Sequence, residues 1–539
     1  MYSQLIMTVK GLAVIFAAIH AFAWLLRRED AEWVKGAPRT IFVGMFLIGM
    51  WGYTVWVAYL AMMLFVPILA RNRADAAAFY AVAILSVPAL GTKMALGSFY
   101  LFPASKWLFC GLGLTIAFFI RNSGPRTSIA RRFDIPVLIV FVLEAGMART
   151  SSFTDTARQL LPLLLSVMVP YFVISRSLNT KQDVRRFLLA LALGGFVMAS
   201  VAVVESRLHW LLYKTIENNM HIDARLNPYT KLRGGMIRAP ASFPESTNLA
   251  NYLALAGVAL FALRASFSST RRWYLALGVI ALGLLAANSR GGFVGIAIGM
   301  VAFDLYRRHY SALAAKIATI GLCYTLFLAA AQVSAYFASV VGKSDATIGS
   351  SDYRVLLLRR GMEEIRKHPY FGTTRDQAIA SLQDIKQGEG IVDLVNGYIA
   401  YGLTLGYPGM IGLLMIFVSL CLAMLLARRG LSRDRELAET AAFVFAVSSL
   451  VAVSSFFTGF GGENSMPFCE VAALGSVMWA LRKGRASVPE SVHSATNSAF
   501  GSPVYRRIAA DRAAAKERGS PAAISYRMRT AGAGEADRA

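Results

Sequence analysis

The sequence contains few charged residues for its length. Only 16% of its 539 residues are Asp, Glu, Lys or Arg, whereas 56% are hydrophobic. A soluble globular chain carries nearer a quarter charged residues. The apolar residues also recur in runs of about twenty positions, which is the length that a helix needs to cross a bilayer. This composition excludes a soluble multidomain protein and predicts an all-α polytopic membrane protein.

The residues of metal and redox chemistry are scarce as well. The chain has four cysteines and six histidines. No cysteine has metal-ligand spacing or lies in a long loop that a disulfide could close, and no two histidines are four residues apart. The sequence has neither a phosphate-binding P-loop nor a dinucleotide-binding fingerprint. We therefore expect no bound metal and no cofactor.

Acidic residues are the rarer of the two charge classes, with 31 against 55 basic residues and a formal net charge of +24. In a soluble protein this excess would indicate nucleic-acid binding. Here the basic residues gather in short loops between apolar spans, and such loops face the cytoplasm. We therefore interpret the charge as a sign of topology and expect no nucleic-acid partner.

Hydropathy and loop charge divide the chain into six parts, with about 12 to 14 transmembrane helices in total. The spans at 41–70 and 91–106 leave the exact number open. The predicted parts are N-terminal transmembrane helices at 1–204, a periplasmic loop at 205–247, transmembrane helices at 248–336, a large periplasmic loop at 337–396, C-terminal transmembrane helices at 397–482, and a disordered basic cytoplasmic tail at 483–539.

One candidate site is the turn Asn288-Ser289-Arg290-Gly291-Gly292, which joins two apolar spans on the external side. An arginine at such a turn faces a polar cavity or an anion, because exposure to lipid is costly. The glycines allow a ligand to approach the backbone, and the next helix begins with free N–H groups. The alternative is an arginine that reaches into the external head groups.

A second candidate is Arg238, which begins a segment with two prolines and several helix-capping residues just before the next span. The prolines and capping residues fix how the chain enters the membrane. The alternative is that this segment is only a loop-to-helix boundary without a functional role.

The large external loop contains an amphipathic pattern that predicts a helix lying on the membrane surface and ending at Pro369 and Gly372. Ser351 or Asp352 would cap this helix, which places Arg354 in its first turn. A cation is unfavourable there unless an anion is nearby. We expect Tyr353, Leu357 and Arg360 to share one face, and Leu356, Leu358, Met362 and Ile365 to form the apolar stripe.

Asp393 and Asn396 lie where the large loop re-enters the membrane, about one helical turn apart. Both side chains could face the external cavity. The carboxylate of Asp393 could accept a proton from a hydroxyl group. The alternative is that one of the two residues simply caps the following helix.

Taken in order, these segments resemble the O-antigen ligase / Wzy-type polysaccharide polymerase superfamily. The resemblance covers about residues 235–425. Its motifs are Arg238 with Phe243, Asn248 and Ala250, then Ser289-Arg290-Gly291, then Arg354 with His368, Pro369 and Gly372, and finally Asn396 followed by Gly406 and Gly409.

The resemblance implies a metal-independent, inverting glycosyltransferase of the bacterial inner membrane that acts on its periplasmic side. Its donor would be an oligosaccharide linked to undecaprenyl diphosphate. Without a metal, guanidinium groups would bind the diphosphate leaving group. The predicted catalytic residues are Arg290, Arg354 and Asp393, and the predicted substrate-binding residues are Arg238, Asn396, Ser289 and Arg360.

One position separates the two activities of this superfamily. Ligases typically have a histidine immediately before the re-entry asparagine, where this chain has Val395. This departure favours polymerisation of repeat units into exopolysaccharide, capsule or O-antigen. Its partners would be the growing polysaccharide acceptor, membrane lipid, and a chain-length regulator or export proteins. The alternatives are a ligase that transfers the glycan to another acceptor, and a lipid-linked glycan flippase or exporter.

Overall fold

Long apolar runs form helices along most of the chain. The structure is a computed structural model, and it describes residues 2–97, 99–122, 131–150, 152–220, 232–233, 235–343, 345–386, 392–461 and 465–482. The predicted cytoplasmic tail at 483–539 lies outside them.

The N-terminal half contains eleven α-helices among these residues, together with one β-hairpin. The elements are α1 Tyr2–Leu25, α2 Arg28–Lys35, α3 Ala37–Trp51, α4 Val55–Leu69, α5 Arg73–Ala83, β1 Gly91–Leu96, β2 Phe99–Ser105, α6 Lys106–Ile120, α7 Asp134–Met147, α8 Phe153–Leu163, α9 Val169–Ser177, α10 Lys181–Leu208 and α11 Leu212–Asn219. A π-helical stretch, Leu164–Met168, joins α8 to α9.

The C-terminal half contains a second, very short hairpin and ten further helices within the described ranges. The elements are β3 Leu232–Arg233, β4 Met236–Ile237, α12 Ser246–Ala262, α13 Thr270–Ala287, α14 Arg290–Arg307, α15 Tyr310–Ala330, α16 Ala335–Val341, α17 Asp345–Lys367, α18 Arg375–Ser381, α19 Gly397–Leu431, α20 Arg435–Ser454 and α21 Met466–Leu481. Single 3₁₀ turns occur at Arg264–Ser266 and Gln383–Ile385.

Among the described residues, seven helices are long and apolar enough to cross a membrane, which confirms the predicted class of an all-α polytopic membrane protein. They are Gln4–Leu25, Phe153–Ser177, Lys181–Leu208, Thr270–Ala287, Tyr310–Ala330, Gly397–Leu431 and Arg435–Ser454. Four shorter apolar helices accompany them, at Val55–Leu69, Lys106–Ile120, Ser246–Ala262 and Pro467–Leu481. The total is lower than the predicted 12 to 14 because several apolar runs form shorter or broken elements.

Two regions explain part of that difference. The run at 41–70 breaks between α3 and α4, where Gly52 follows the last turn of α3. The region at 91–106 adds no transmembrane helix: α5 ends at Ala83, and the antiparallel hairpin β1–β2 occupies most of this region. Pro88 interrupts helical hydrogen bonding, and Gly97 adopts φ +63° at the hairpin tip, a conformation that suits glycine.

The loops that were predicted to be cytoplasmic contact one another through ion pairs. Arg307 donates to Glu439 at 2.6 Å, and Arg185 pairs with Asp30. In addition, the Arg27 amide donates to the Ser266 carbonyl at 2.8 Å. These contacts join the end of α14 to α20, the start of α10 to α2, and the residue before α2 to the turn at Arg264–Ser266.

The turn after α17 packs against a kink in α19. Gly406 has φ +69° and ψ −165°, a conformation restricted to glycine, and a Cβ there would lie 2.3 Å from the Pro369 carbonyl oxygen. Gly372 has φ +56°, and a Cβ on it would lie 2.3 Å from the Thr404 carbonyl carbon. Two of the glycines in the motif series therefore allow two backbones to approach closely.

α17 differs from its prediction in its start and in its buried face. It begins at Asp345, about two turns before the predicted cap, so Arg354 lies in its third turn and not in its first. Tyr353, Leu357 and Ile365 are buried, whereas Leu358 is 46% exposed. The buried side packs on Ile399 and Leu403 of α19. This packing buries the face of α17 on which residues recur every fourth position.

Candidate functional site

The turn that carries Arg290 is held by hydrogen bonds on both sides. Asn288 adopts a left-handed conformation, φ 44° and ψ 51°, which ends α13. Its side-chain amide donates to the Ser339 hydroxyl at 3.2 Å. Ser289 is buried and precedes α14, so Arg290 is the first residue of that helix. The backbone thereby fixes the position from which the Arg290 side chain extends.

The Arg290 side chain is half-buried and extends towards the large loop. Its Nη1 donates to the Ser351 hydroxyl of α17 at 3.2 Å. It also lies against Gly342, where a Cβ would approach Nη1 to 2.6 Å. Gly342 has φ +94°, so a glycine satisfies both the backbone conformation and the space that the guanidinium group requires.

The segment that carries Arg238 is anchored by a buried carboxylate. Glu205, near the end of α10, accepts the Leu212 amide at 2.9 Å and the Ala241 amide at 3.0 Å. The Ala239 amide donates to the Ala286 carbonyl at the end of α13. Arg238 is thereby held beside the turn of Arg290. Its Nε is shielded from solvent and has no hydrogen-bond partner among the described residues.

A fourth arginine, Arg233 in β3, joins the group and was missed by the sequence analysis. Its Nη1 donates to the Asn288 carbonyl at 3.3 Å. Burial and the positive charges of Arg238, Arg290 and Arg354 lower its pKa to about 10. The available signal was the Gly234-Gly235 pair between Arg233 and Met236, which favours a tight turn that folds this segment back on itself.

The pKa values of Arg238 and Arg354 are also shifted by the neighbouring arginines. Burial lowers the pKa of Arg238, with Glu245 opposing that effect and Arg354 and Arg290 adding to it. Burial and the charge of Arg290 lower the pKa of Arg354, and Asp393 acts in the opposite direction. We refer to Arg233, Arg238, Arg290 and Arg354 as the arginine cluster.

Asp393 is placed beside this cluster by α17. The Tyr353 hydroxyl donates to the Asp393 carbonyl and accepts the Asp393 amide hydrogen, both at 2.9 Å. The residue itself is exposed, so its carboxylate is accessible from solvent. Because Tyr353 immediately precedes Arg354 on α17, one helix positions both the cation and the acid.

The structure does not bring every predicted site residue into the cluster. Asn396 is buried and caps α19, because its side-chain oxygen accepts the Ile399 amide at 3.1 Å. Arg360 pairs with Glu363 at 2.6 Å and with Asp384 at 2.9 Å, and it does not contribute to the pKa shifts within the cluster. Arg290, Arg354, Asp393 and Arg238 are therefore the predicted residues that converge.

A small pocket with a mixed apolar and polar lining adjoins the turn of Arg290. A Cβ at Gly291 would lie 3.9 Å from the Thr458 methyl group, and Thr458 lines the pocket. The polar residues of the lining are Asn248, Asn251, Ser454, Ser455 and Thr458, and its aromatic residues are Phe243, Tyr252, Phe460 and Phe468. Amides, hydroxyls and aromatic faces are groups that hydrogen-bond and stack against a sugar.

The arginine cluster has the chemistry of an anion site. Four guanidinium groups that repel one another and are partly desolvated are stabilised by a ligand with several negative charges. Arginine also matches phosphate oxygens in a bidentate geometry. A diphosphate could contact more than one of these groups at once, with the acid Asp393 and the mixed pocket nearby.

The family comparison agrees with this geometry. A family model described as O-Antigen ligase matches residues 275–414. This stretch contains Arg290, Arg354 and Asp393, whereas Arg233 and Arg238 precede it. A search of curated proteins found none that matches the chain. The match over residues 275–414 confirms the resemblance to the O-antigen ligase / Wzy-type superfamily that the motif series indicates.

Proposed function

We propose that the chain polymerises lipid-linked oligosaccharide repeat units at the periplasmic face of the bacterial inner membrane. The observation that carries this proposal is the convergence of four arginines, from both long loops and the turn of Arg290, beside the exposed Asp393. The family match over residues 275–414 supports a membrane glycosyltransferase of the ligase or polymerase type. The donor in this proposal is linked to undecaprenyl diphosphate.

In the proposed reaction, an acceptor hydroxyl oxygen attacks the anomeric carbon of the donor sugar. The bond from that carbon to the diphosphate oxygen breaks, its electron pair leaves with the diphosphate, and the anomeric configuration is inverted. The hydroxyl proton passes to the Asp393 carboxylate and then to solvent. Arg290 and Arg354 bind the charge that develops on the leaving group, with Arg238 and Arg233 beside them. The step requires no metal in this proposal.

Polymerisation is favoured over ligation by the residue before Asn396. Val395 is apolar and cannot accept a proton from an acceptor hydroxyl, and its backbone amide is turned towards the Asp393 carbonyl at 2.9 Å. Asp393 is then the acid that could assume the role of base. The acceptor would be the growing polysaccharide, and a chain-length regulator or export proteins would act with it.

The test is complementation of a strain that lacks the chain, followed by chromatography of its lipid-linked glycans. We expect Arg290→Ala and Arg354→Ala to accumulate single lipid-linked units. Arg366→Ala is the matched control, because Arg366 is exposed in the last turn of α17. Polymer of normal length with either cluster variant would refute the proposal.

The same strain distinguishes the alternatives. Polymer that is made but not attached to an acceptor would select a ligase. Lipid-linked units that remain protected from a membrane-impermeant oxidant in spheroplasts would select a flippase, because they would not have crossed the membrane. For a polymerase we expect single units that the oxidant reaches.

A further inference from the structure

Lys106, the first residue of α6, has a charge that the chemistry described above does not use. The residue is only 1% exposed, although lysine is among the residues that proteins bury least often. It also lies at the start of a helix, where the helix dipole makes a cation unfavourable. A charge in such a position is retained only if its contacts offset both costs.

The ammonium group of Lys106 reaches the segment that carries Arg238. Its Nζ donates to the Ser242 carbonyl at 3.1 Å and lies 3.5 Å from the Val87 carbonyl oxygen. The same atom is 5.7 Å from the centre of the Phe243 ring, within the range of a cation–π contact. Lys106 and Ser242 are 136 residues apart in the sequence, so this contact joins the N-terminal half of the chain to the site.

The segment that Lys106 contacts has an unfavourable backbone conformation. Ala241 adopts φ +49°, in the left-handed region that residues other than glycine rarely occupy. The carboxylate of Glu205, which is also 1% exposed, accepts the Ala241 amide at 3.0 Å. Lys106 donates to the carbonyl of the next residue. Both hydrogen bonds involve a charged group, which makes them stronger than neutral ones, and together they hold two consecutive residues in place.

We propose that Lys106 is a positioning residue for the glycosyl transfer and that it acts through the segment from Arg238 to Phe243. The inference rests on the proposed function, because Arg238 is taken to lie beside the bound diphosphate. Arg238 precedes Ser242 by four residues, and Phe243, which follows it, lines the mixed pocket. A displaced Ser242 would therefore move both a cation of the arginine cluster and a wall of that pocket. In this assignment Lys106 does not contact the substrate.

The first test is a double-mutant cycle, because two groups that act through one contact do not have additive effects. Lys106→Met keeps an unbranched side chain of similar length and removes its charge. We expect it to lower kcat/KM for lipid-linked units about tenfold in the unmodified chain, but less than about twofold in a chain that already has Arg238→Ala. Combined with Ser351→Ala, on a different element, it should still cost about tenfold. Lys93→Met, the same substitution at an exposed position of β1, should leave the activity unchanged.

The second test is hydrogen exchange, which reports on the segment without reference to the reaction. The amides of Ala239, Ala241 and Phe243 all donate hydrogen bonds, so their exchange is slow until the segment opens. In the full chain in lipid nanodiscs, Lys106→Met should speed exchange in a peptide covering residues 239–243 by at least about tenfold. A peptide within α17 should exchange as it does in the unmodified chain.

The outcomes separate this inference from the proposed function. An equal loss of activity with and without Arg238→Ala, or unchanged exchange over residues 239–243, would overturn the positioning role and leave the arginine cluster unaffected. Faster exchange throughout the chain would also overturn it, because Lys106 would then only stabilise the fold. If Arg290→Ala and Arg354→Ala have normal activity, the proposed function fails, and exchange still decides whether Lys106 holds the segment. If Lys106→Met does not fold, Lys106→Gln, which keeps hydrogen-bond donors without the charge, replaces it in both measurements.

Discussion

Arg290→Ala should reduce turnover severely while hardly changing stability. The guanidinium group donates a hydrogen bond to Ser351 at 3.2 Å, and loss of such a bond typically costs about 0.5–1.5 kcal/mol. Removing one of four mutually repelling charges acts in the opposite direction. The two effects oppose each other, so we expect a thermal unfolding midpoint close to that of the unmodified chain.

The effect on the reaction is expected to be much larger. Removing one preorganised donor to a developing oxyanion typically lowers the rate by about 10²–10³-fold, or about 2.7–4 kcal/mol. Arg290→Lys retains the charge but loses the bidentate geometry. Its rate should therefore lie between that of the unmodified chain and that of Arg290→Ala. Ser351→Ala removes only the supporting hydrogen bond and should slow the reaction by less than tenfold.

The assay can use the substrate that accumulates in the deletion strain. Lipid-linked units extracted from that strain are incubated with purified chain in detergent, and polymer is quantified over time beside a thermal unfolding measurement. A rate for Arg290→Ala within threefold of the unmodified rate would refute the role of Arg290. A large fall in the unfolding midpoint, parallel to the loss of activity, would indicate a structural role instead.

Four further expectations follow from the same geometry. Gly406→Ala should destabilise the fold by about 1–3 kcal/mol, because its backbone conformation excludes other residues and a Cβ would meet the Pro369 carbonyl. Chemical denaturation measures this loss, and Gly321→Ala, at a position with open space around it, is the control. Asn396→Ala should cost about 0.5–2 kcal/mol of stability through loss of the α19 cap, measured by the same denaturation. Asp393→Asn should lower kcat by about 10²–10⁴-fold with little change in KM if the acid is the base, and an unchanged kcat would exclude that role. EDTA should leave the turnover of the purified chain unchanged, and recovery of a lost activity by added divalent cations would contradict the metal-independent reaction.

The class of protein could be predicted from the sequence because hydropathy depends only on local composition. The arginines at the ends of apolar spans could also be identified, since a charge there is costly unless it faces a polar cavity or an anion. Arg233 could not be identified in this way, because it lies within a polar loop and its position depends on the two-residue strands β3 and β4. The role of Asn396 as a cap was open for a related reason: capping and ligand binding require the same residue types at the start of a helix.

The start of α17 shows where local rules fail. Ser351 and Asp352 are good capping residues, yet the helix continues through them from Asp345. Its buried face is selected by α19, where Ile399 lies so close that a Cβ at Gly361 would approach its side chain to 2.4 Å. Packing against a distant helix outweighs a capping preference of about 1 kcal/mol. The same packing places Arg354 in the third turn, where the dipole of the helix start is no longer unfavourable.

The arrangement around the cluster explains how four like charges are held together. Hydrogen bonds from residues outside the cluster hold the segments that carry these arginines, and Arg233 itself donates to the carbonyl of Asn288, beside Arg290. Glu205 holds the segment of Arg238 through the Ala241 amide, and Tyr353 holds that of Asp393. The repulsion is therefore opposed by hydrogen bonds outside the cluster, and a bound diphosphate would relieve it. An anion that binds to the cluster relieves the repulsion between the four arginines, and this relief adds to its binding free energy. The affinity for inorganic diphosphate should therefore fall steeply with salt concentration, because salt screens that repulsion.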